Sequence, residues 1–210
     1  MLDRLWWVID ASSRRSSLTR AALRAQQSRN KYPFAGQTGQ SIGIGNIPKM
    51  QTFLPYPDFD ATARVLDPRR LGKQRVEALQ VLRALTVSGY GWRHHPAPKM
   101  WAGYEEALVR YGLQICAAWC ALDRADTCSA TMRRDLSSSC AITRIRSQRA
   151  LGESGDLPPW LGDPAFHLSH RSALLRKDPR FYRPLFGDEP DDLPYVWPDS
   201  DRLPGVTGPS

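Results

Sequence analysis

Beyond residue 50, apolar positions recur every three or four residues, the spacing of helices that bury one face. The clearest run covers residues 67–85. Asp67 is placed to cap the free N–H groups at its start, and Pro68 suits the first helical position. Leu71, Ala78, Leu79, Leu82 and Leu85 then fall on one face. A long helix is expected from about residue 100 to 122, with Trp101, Tyr104, Leu108, Tyr111, Ile115 and Trp119 in register. Residues 126–136 and 141–150 read as shorter, basic helices. Asp163-Pro164 repeats the cap-plus-proline start and predicts a helix over 164–176. Residues 92–99 hold too much proline for a helix interior, and Leu157-Pro158-Pro159-Trp160 reads as a rigid turn. No pair of strands is evident. The expected fold is all-α: a single compact helical domain over residues 50–202, closed by a Pro- and aromatic-rich segment and a flexible tail at 203–210.

Residues 1–49 break the pattern. They are rich in Arg, Ser, Gln and Gly without a sustained apolar period. We read them as a disordered leader, or as a stretch upstream of a true start at Met50; an Arg/Ser-rich, acid-poor leader also fits an organellar transit peptide. Leu5-Trp6-Trp7-Val8-Ile9 is too short for a signal-peptide core, and no stretch is long enough to span a membrane. A cytoplasmic protein without a membrane partner is expected, and a monomer.

This division changes the meaning of the charge. The chain has 29 basic and 21 acidic residues, a net +8. Residues 1–49 hold eight of the bases and two of the acids, so the remainder carries only +2. The high isoelectric point is therefore weak support for a nucleic-acid partner. Local asymmetry survives: residues 64–83, 133–149 and 171–183 are basic, and the end of the chain is acidic. A basic stripe on a nearly neutral domain suits a polyanion; solvated helix faces are the equal alternative.

Cys116, Cys120, Cys128 and Cys140 lack the paired spacing of a zinc ribbon, and buried reduced thiols are expected rather than a metal site. No metal or other cofactor is called for. His94 and His95 are adjacent and point apart, which suits a cap or a phosphate contact better than a shared metal. His167 and His170 share a helix face with Arg171 beside them, and a structural polar contact is the commoner outcome. The run from Arg176 to Arg183 alternates cations with Phe181 and Tyr182, which suits phosphates and unpaired bases, or a segment that packs its rings and leaves its charges wet.

Glu77 is the residue with most to offer. It lies at the edge of the apolar face of its helix, with Lys73 and Arg70 on its strip. Apart from the cap Asp67, it is the one acid among Arg64, Arg69, Arg70, Lys73, Arg75 and Arg83. An ordinary i,i+4 partner of Lys73 is one reading. The other is a carboxylate at a pocket edge that handles protons on a nucleic-acid sugar. The surrounding cations are expected to lower its pKa.

These residues resemble a known family. Met50-Gln51-Thr52-Phe53-Leu54-Pro55, Arg70-Leu71-Gly72-Lys73-Gln74-Arg75-Val76-Glu77, Gly91-Trp92-Arg93-His94-His95-Pro96 and Tyr195-Val196-Trp197-Pro198 are similar to motifs of the pyrimidine-dimer DNA glycosylases of the endonuclease V type, nearest to uncharacterised bacterial members. The resemblance implies a DNA-repair glycosylase with AP-lyase activity on damaged duplex DNA. It implies an α-amine nucleophile near the start, at Met50 or Gln51, and Glu77 as the catalytic glutamate. The family carries a small residue where this chain has Gln51. Should no amine be free there, Lys73, Lys99 or Lys177 would have to serve. Arg70, Lys73, Arg75, His94, His95, His170, Arg171, Lys177 and Tyr182 are the expected nucleic-acid contacts. Two other functions fit the same residues: a non-catalytic nucleic-acid-binding module, and an enzyme acting on a small nucleotide or phosphorylated metabolite.

Overall fold

A computed structural model describes residues 50–202, and the expected leader and tail lie outside them. The described residues form eight helices and no strand. These are α1 (Phe59–Val65), α2 (Pro68–Thr86), α3 (Pro96–Trp101), α4 (Glu105–Cys120), α5 (Cys128–Cys140), α6 (Gln148–Glu153), α7 (Pro164–Lys177) and α8 (Pro179–Phe186). The all-α expectation holds. None of these helices is long and apolar enough to cross a membrane.

Caps set the starts. Asp67 accepts from the N–H groups of Arg69 (2.9 Å) and Arg70 (3.1 Å), with Pro68 in the first turn. Asp163 does the same for α7, through Ala165 N at 2.9 Å. Helices α2 and α4 make the most extensive pairing, and α5 packs on both. Their close approach depends on small side chains. A Cβ added at Gly112 of α4 would stand 2.7 Å from Met132 Sδ and 3.2 Å from Cβ of Ala78 on α2. Gly112→Val should therefore force the pair apart and lower stability by about 1–3 kcal/mol, read as an earlier denaturant midpoint.

Three expectations need correction. The helix expected over 100–122 is two helices. Gly103 adopts φ 76, a left-handed turn that stops α3, and α4 starts afresh at Glu105. The proline-rich run is partly helical, because Pro96 and Pro98 fall in the first turn of α3, where a missing N–H costs nothing. Residues 141–147 are not helical: α5 ends on Ala141 with φ 57, and the Arg146 N–H donates to Glu106 (2.8 Å) instead of to a helix carbonyl.

The segment from Met50 to Pro55 runs extended through the middle of the helices with every residue buried. It has no strand partner, so helix side chains satisfy its backbone. Phe53 N donates to Gln74 Oε1 (2.8 Å), and Leu54 N donates to His170 Nδ1 (3.0 Å). His167 Nδ1 lies 2.8 Å from Leu54 O, and Arg171 Nη1 donates to Pro55 O at 2.8 Å. The His167 Nε2 accepts from Gly162 N (3.0 Å), which leaves Nδ1 as the protonated nitrogen facing Leu54 O. Residues 193–196 return across α7, held by the hydroxyls of Ser172 and Ser169 (3.0 and 3.2 Å).

Candidate active site around Glu77

Glu77 is 4% exposed, beneath the extended segment. Its carboxylate meets three donors. Lys73 Nζ reaches in from solvent to 3.3 Å, Gln74 Nε2 donates to Oε2, and the backbone N–H of Gln51 donates to the carboxylate. The charge of Lys177, at the end of α7, is also felt there. The expected lowering of its pKa is overturned. Burial outweighs every cation and raises the Glu77 pKa to about 7. At neutral pH the group is therefore present in both forms, the condition for general acid–base work.

Gln74 holds this arrangement and was not singled out in the sequence. It is fully buried, with four polar neighbours for its four hydrogen-bonding positions. Nε2 donates to Gln51 O (2.8 Å) and to Glu77. Oε1 faces Phe53 N (2.8 Å) and the Tyr111 hydroxyl (2.8 Å). It thus ties the start of the extended segment to the carboxylate, three residues along α2. The signal for it was present, since a glutamine at i−3 from Glu77 shares its face. Tyr195 is the other omission: its hydroxyl is pushed up to about 12, first by burial and then partly by the negative charge of Glu77. The pairing of residues so far apart in sequence left no local trace.

The expected nucleic-acid contacts divide into two groups. Lys73 stands mostly in solvent, His94 is exposed, and Lys177 lies 5.8 Å from the Phe53 ring centre, beside Glu77. His95 is half-buried and caps α3, with Nδ1 accepting from Ala97 N at 3.1 Å. The remaining five are committed to ion pairs or sealed in the core. Arg70 pairs with Asp67 (3.2 Å) and Asp178 (3.7 Å). Tyr182 is fully buried and donates to Asp67, so these residues tie the start of α2 to α8. Arg75 pairs with Asp126 at 2.6 Å and lies over the Trp119 ring at 4.4 Å. Arg171 is held by Glu189 (2.7 Å) as well as by Pro55 O. His170 is fully buried, and its lowered pKa, about 3, keeps it neutral. A phosphate could reach these five only by breaking an ion pair or opening the core.

Of the amines considered as nucleophiles, Lys73 and Lys177 are at the site, whereas Lys99 lines a separate cavity described below. Met50 and Gln51 are buried, at 4% and 2% exposure. The four cysteines are free thiols, and the described residues contain no group of His, Cys, Asp and Glu able to hold a metal.

Comparison with curated proteins found no match, and neither did comparison with solved structures. Comparison with protein families found one, over residues 50–132, a stretch that contains the extended segment, α1 to α4, Lys73, Gln74 and Glu77. Across those residues the chain is a match to the pyrimidine dimer DNA glycosylase family.

Proposed function

We propose that this domain is a DNA glycosylase with AP-lyase activity on pyrimidine-dimer-like damage, in which an amine attacks the sugar and Glu77 moves the protons. One observation carries the reading: Gln74 Nε2 donates both to the Gln51 backbone O (2.8 Å) and to the buried Glu77 carboxylate, which brings the Gln51 backbone, and with it the Gln51 nitrogen, beside that carboxylate. As an amide that nitrogen is inert. In a chain beginning at Gln51 it would be an α-amine, and such amines titrate near pH 8, so a useful fraction is unprotonated at neutral pH. Lys73, 3.3 Å from Glu77, is the second candidate.

The chemistry needs both forms of the glutamate. The amine lone pair bonds to C1′ while the glycosidic C–N bond breaks and the departing base gains a proton. Transfer of a proton from the nitrogen to O4′, with opening of the C1′–O4′ bond, gives a protonated imine and a free O4′ hydroxyl. The Glu77 carboxylate then takes a proton from C2′, and those electrons expel the 3′ phosphate by breaking the C3′–O bond. A carboxyl with a pKa near 7 can give the first proton and, once ionised, accept the later one. Lys73 and Lys177 supply positive charge for the flanking phosphates.

A binding module without catalysis remains the second reading, favoured by the burial of Met50 and Gln51. Borohydride trapping separates the two. Chains beginning at Met1, Met50 and Gln51 are incubated with ultraviolet-irradiated and abasic duplexes, then reduced. Trapping by the shortened chains alone assigns the α-amine, and equal trapping by all three assigns a lysine. Binding without trapping or cleavage by any of them leaves the module. Binding of mononucleotides without duplex binding would point to a small-molecule enzyme.

A further inference from the structure

A second cationic site lies along α2. Glu77 and Ala84 are seven residues apart, two turns on the same helix face, hence about 10 Å. At the Ala84 end is a cavity of about 450 Å³, of a size to hold one nucleotide. Arg93, Lys99, Arg202 and Asp199 line it. Arg202 is occupied by Asp156 (3.1 Å) and by Gly155 O (2.8 Å). Among the described residues no carboxylate lies within ion-pair distance of Arg93 or Lys99, and both are exposed. The cavity therefore offers two uncommitted cations and, in Asp199, one acceptor.

A chain of rings joins the two places. Tyr195, whose ring lies 6.4 Å from that of Phe53 beside the site, contacts Trp197 at 5.6 Å between ring centres. Trp197 meets His95 at 5.8 Å, and His95 meets Trp92, the neighbour of Arg93, at 5.7 Å. All four are half-buried rather than sealed in the core. Partly open rings beside uncommitted cations are the combination that holds unpaired nucleotides: bases stack on rings, and phosphates meet charges. A purely packing role would not require Arg93 and Lys99 to stand unpaired over a cavity.

We propose that this row is a track for unpaired DNA, taking about three nucleotides next to the reacting one and seating a phosphate on Arg93 and Lys99. The number comes from the 10 Å span and the rise of about 3.4 Å per stacked nucleotide. Asp199 is placed to accept a hydrogen bond from a base amino group. The direction of the track, ending at Glu77, rests on the glycosylase reading; the binding itself does not. Unpairing around a lesion would then be stabilised by the protein, and distorted DNA preferred over intact duplex.

The test uses the full chain and labelled oligonucleotides at fixed salt. A duplex with a three-nucleotide gap should bind about tenfold tighter than the same duplex intact. Arg93→Ala with Lys99→Ala should erase that preference and make the salt slope on the gapped DNA shallower by about 1.4, near 0.7 for each lost contact to a single strand. Both changes are at exposed positions, and an unchanged circular dichroism melt verifies the fold. Trp197→Phe keeps a ring and should retain most of the preference, while Trp197→Ala should lose it. Equal affinity for gapped and intact duplexes, or a double variant with unaltered preference and salt slope, overturns the track. Cleavage by the double variant with unchanged gap preference would sink the track and leave the glycosylase reading standing. Gap preference that depends on Arg93 and Lys99, in a protein that never traps or cleaves, would do the reverse.

Discussion

Glu77→Gln should reduce strand scission on irradiated and abasic duplexes at least 100-fold while changing DNA affinity by no more than a few-fold. The size follows from the role. A positioned proton-transfer group contributes about 10²–10⁴-fold, and an amide can neither give nor take that proton. The small effect on binding follows from geometry. Glu77 is buried, whereas Lys73 and Lys177, which would face the phosphates, are untouched by the change. The native pH profile should carry the same signature. With its pKa raised to about 7 by burial, Glu77 becomes a base only as pH rises through that value. The elimination step should therefore accelerate between pH 6 and 8. Were Glu77 merely the partner of Lys73, the substitution would cost a few tenths of a kcal/mol and leave scission intact. Scission by Glu77→Gln at the native rate would remove it from the mechanism.

The raised pKa also marks where the sequence stops being informative. What is local was legible. Asp67-Pro68 and Asp163-Pro164 announce their helices because a cap and a first-turn proline act within four residues. The place of Glu77 at the edge of an apolar face follows from helical geometry alone. Its charge state does not. Its neighbours in sequence are cations, which argue for a low pKa, but it is buried, and Gln74 ties it to the backbone of Gln51, 26 residues away in sequence. The same holds for α7. Its buried face mixes His167, Ser169, His170 and Ser172 with apolar residues, so hydrophobic spacing gives it no orientation. Those polar groups make sense only beside their partners: Leu54 is 116 residues from His170, and Val196 is 27 from Ser169. Arg75 and Arg171 read as free cations for a like reason, since Asp126 and Glu189 lie 51 and 18 residues away. A basic stripe in one dimension became a set of ion pairs in three.

The stability of the protein should be nearly independent of pH between about 4.5 and 6.5, and a single substitution should unmask a steep slope. Two buried groups oppose each other in that window. Glu77 has a folded pKa of about 7 against an ordinary 4.5, so the folded state keeps a proton that the unfolded state has lost. That contribution declines as pH rises through the window, by roughly 3 kcal/mol in all. His170 behaves in the opposite way. Burial lowers its pKa from 6.5 to about 3, and its Nε2 has no hydrogen-bond partner to stabilise a charge. The unfolded state takes up a proton below pH 6.5 that the folded state refuses, so stability falls as pH falls. Each group contributes a slope of about 1.4 kcal/mol per pH unit, and the signs cancel. The downward shifts of His167 and His95, also from burial, add to the His170 side and tilt the plateau toward lower stability at the acid end. Below pH 4.5 Glu77 is protonated in both states, and Glu106, Asp126 and Asp156, all held below the ordinary carboxylate range, join the histidines in destabilising the fold as pH falls. Glu77→Gln removes one arm. Its stability should exceed that of the native protein by roughly 3 kcal/mol at pH 8, and should fall by about 1.4 kcal/mol per pH unit from 6.5 to 4.5. His170→Asn keeps an acceptor for the Leu54 N–H and removes the other arm, so its stability should instead decline as pH rises from 4.5 to 7. Urea denaturation of the three proteins at half-unit pH steps reads all of these slopes, and parallel profiles for the native protein and Glu77→Gln would show that the Glu77 carboxyl does not hold its proton near neutrality.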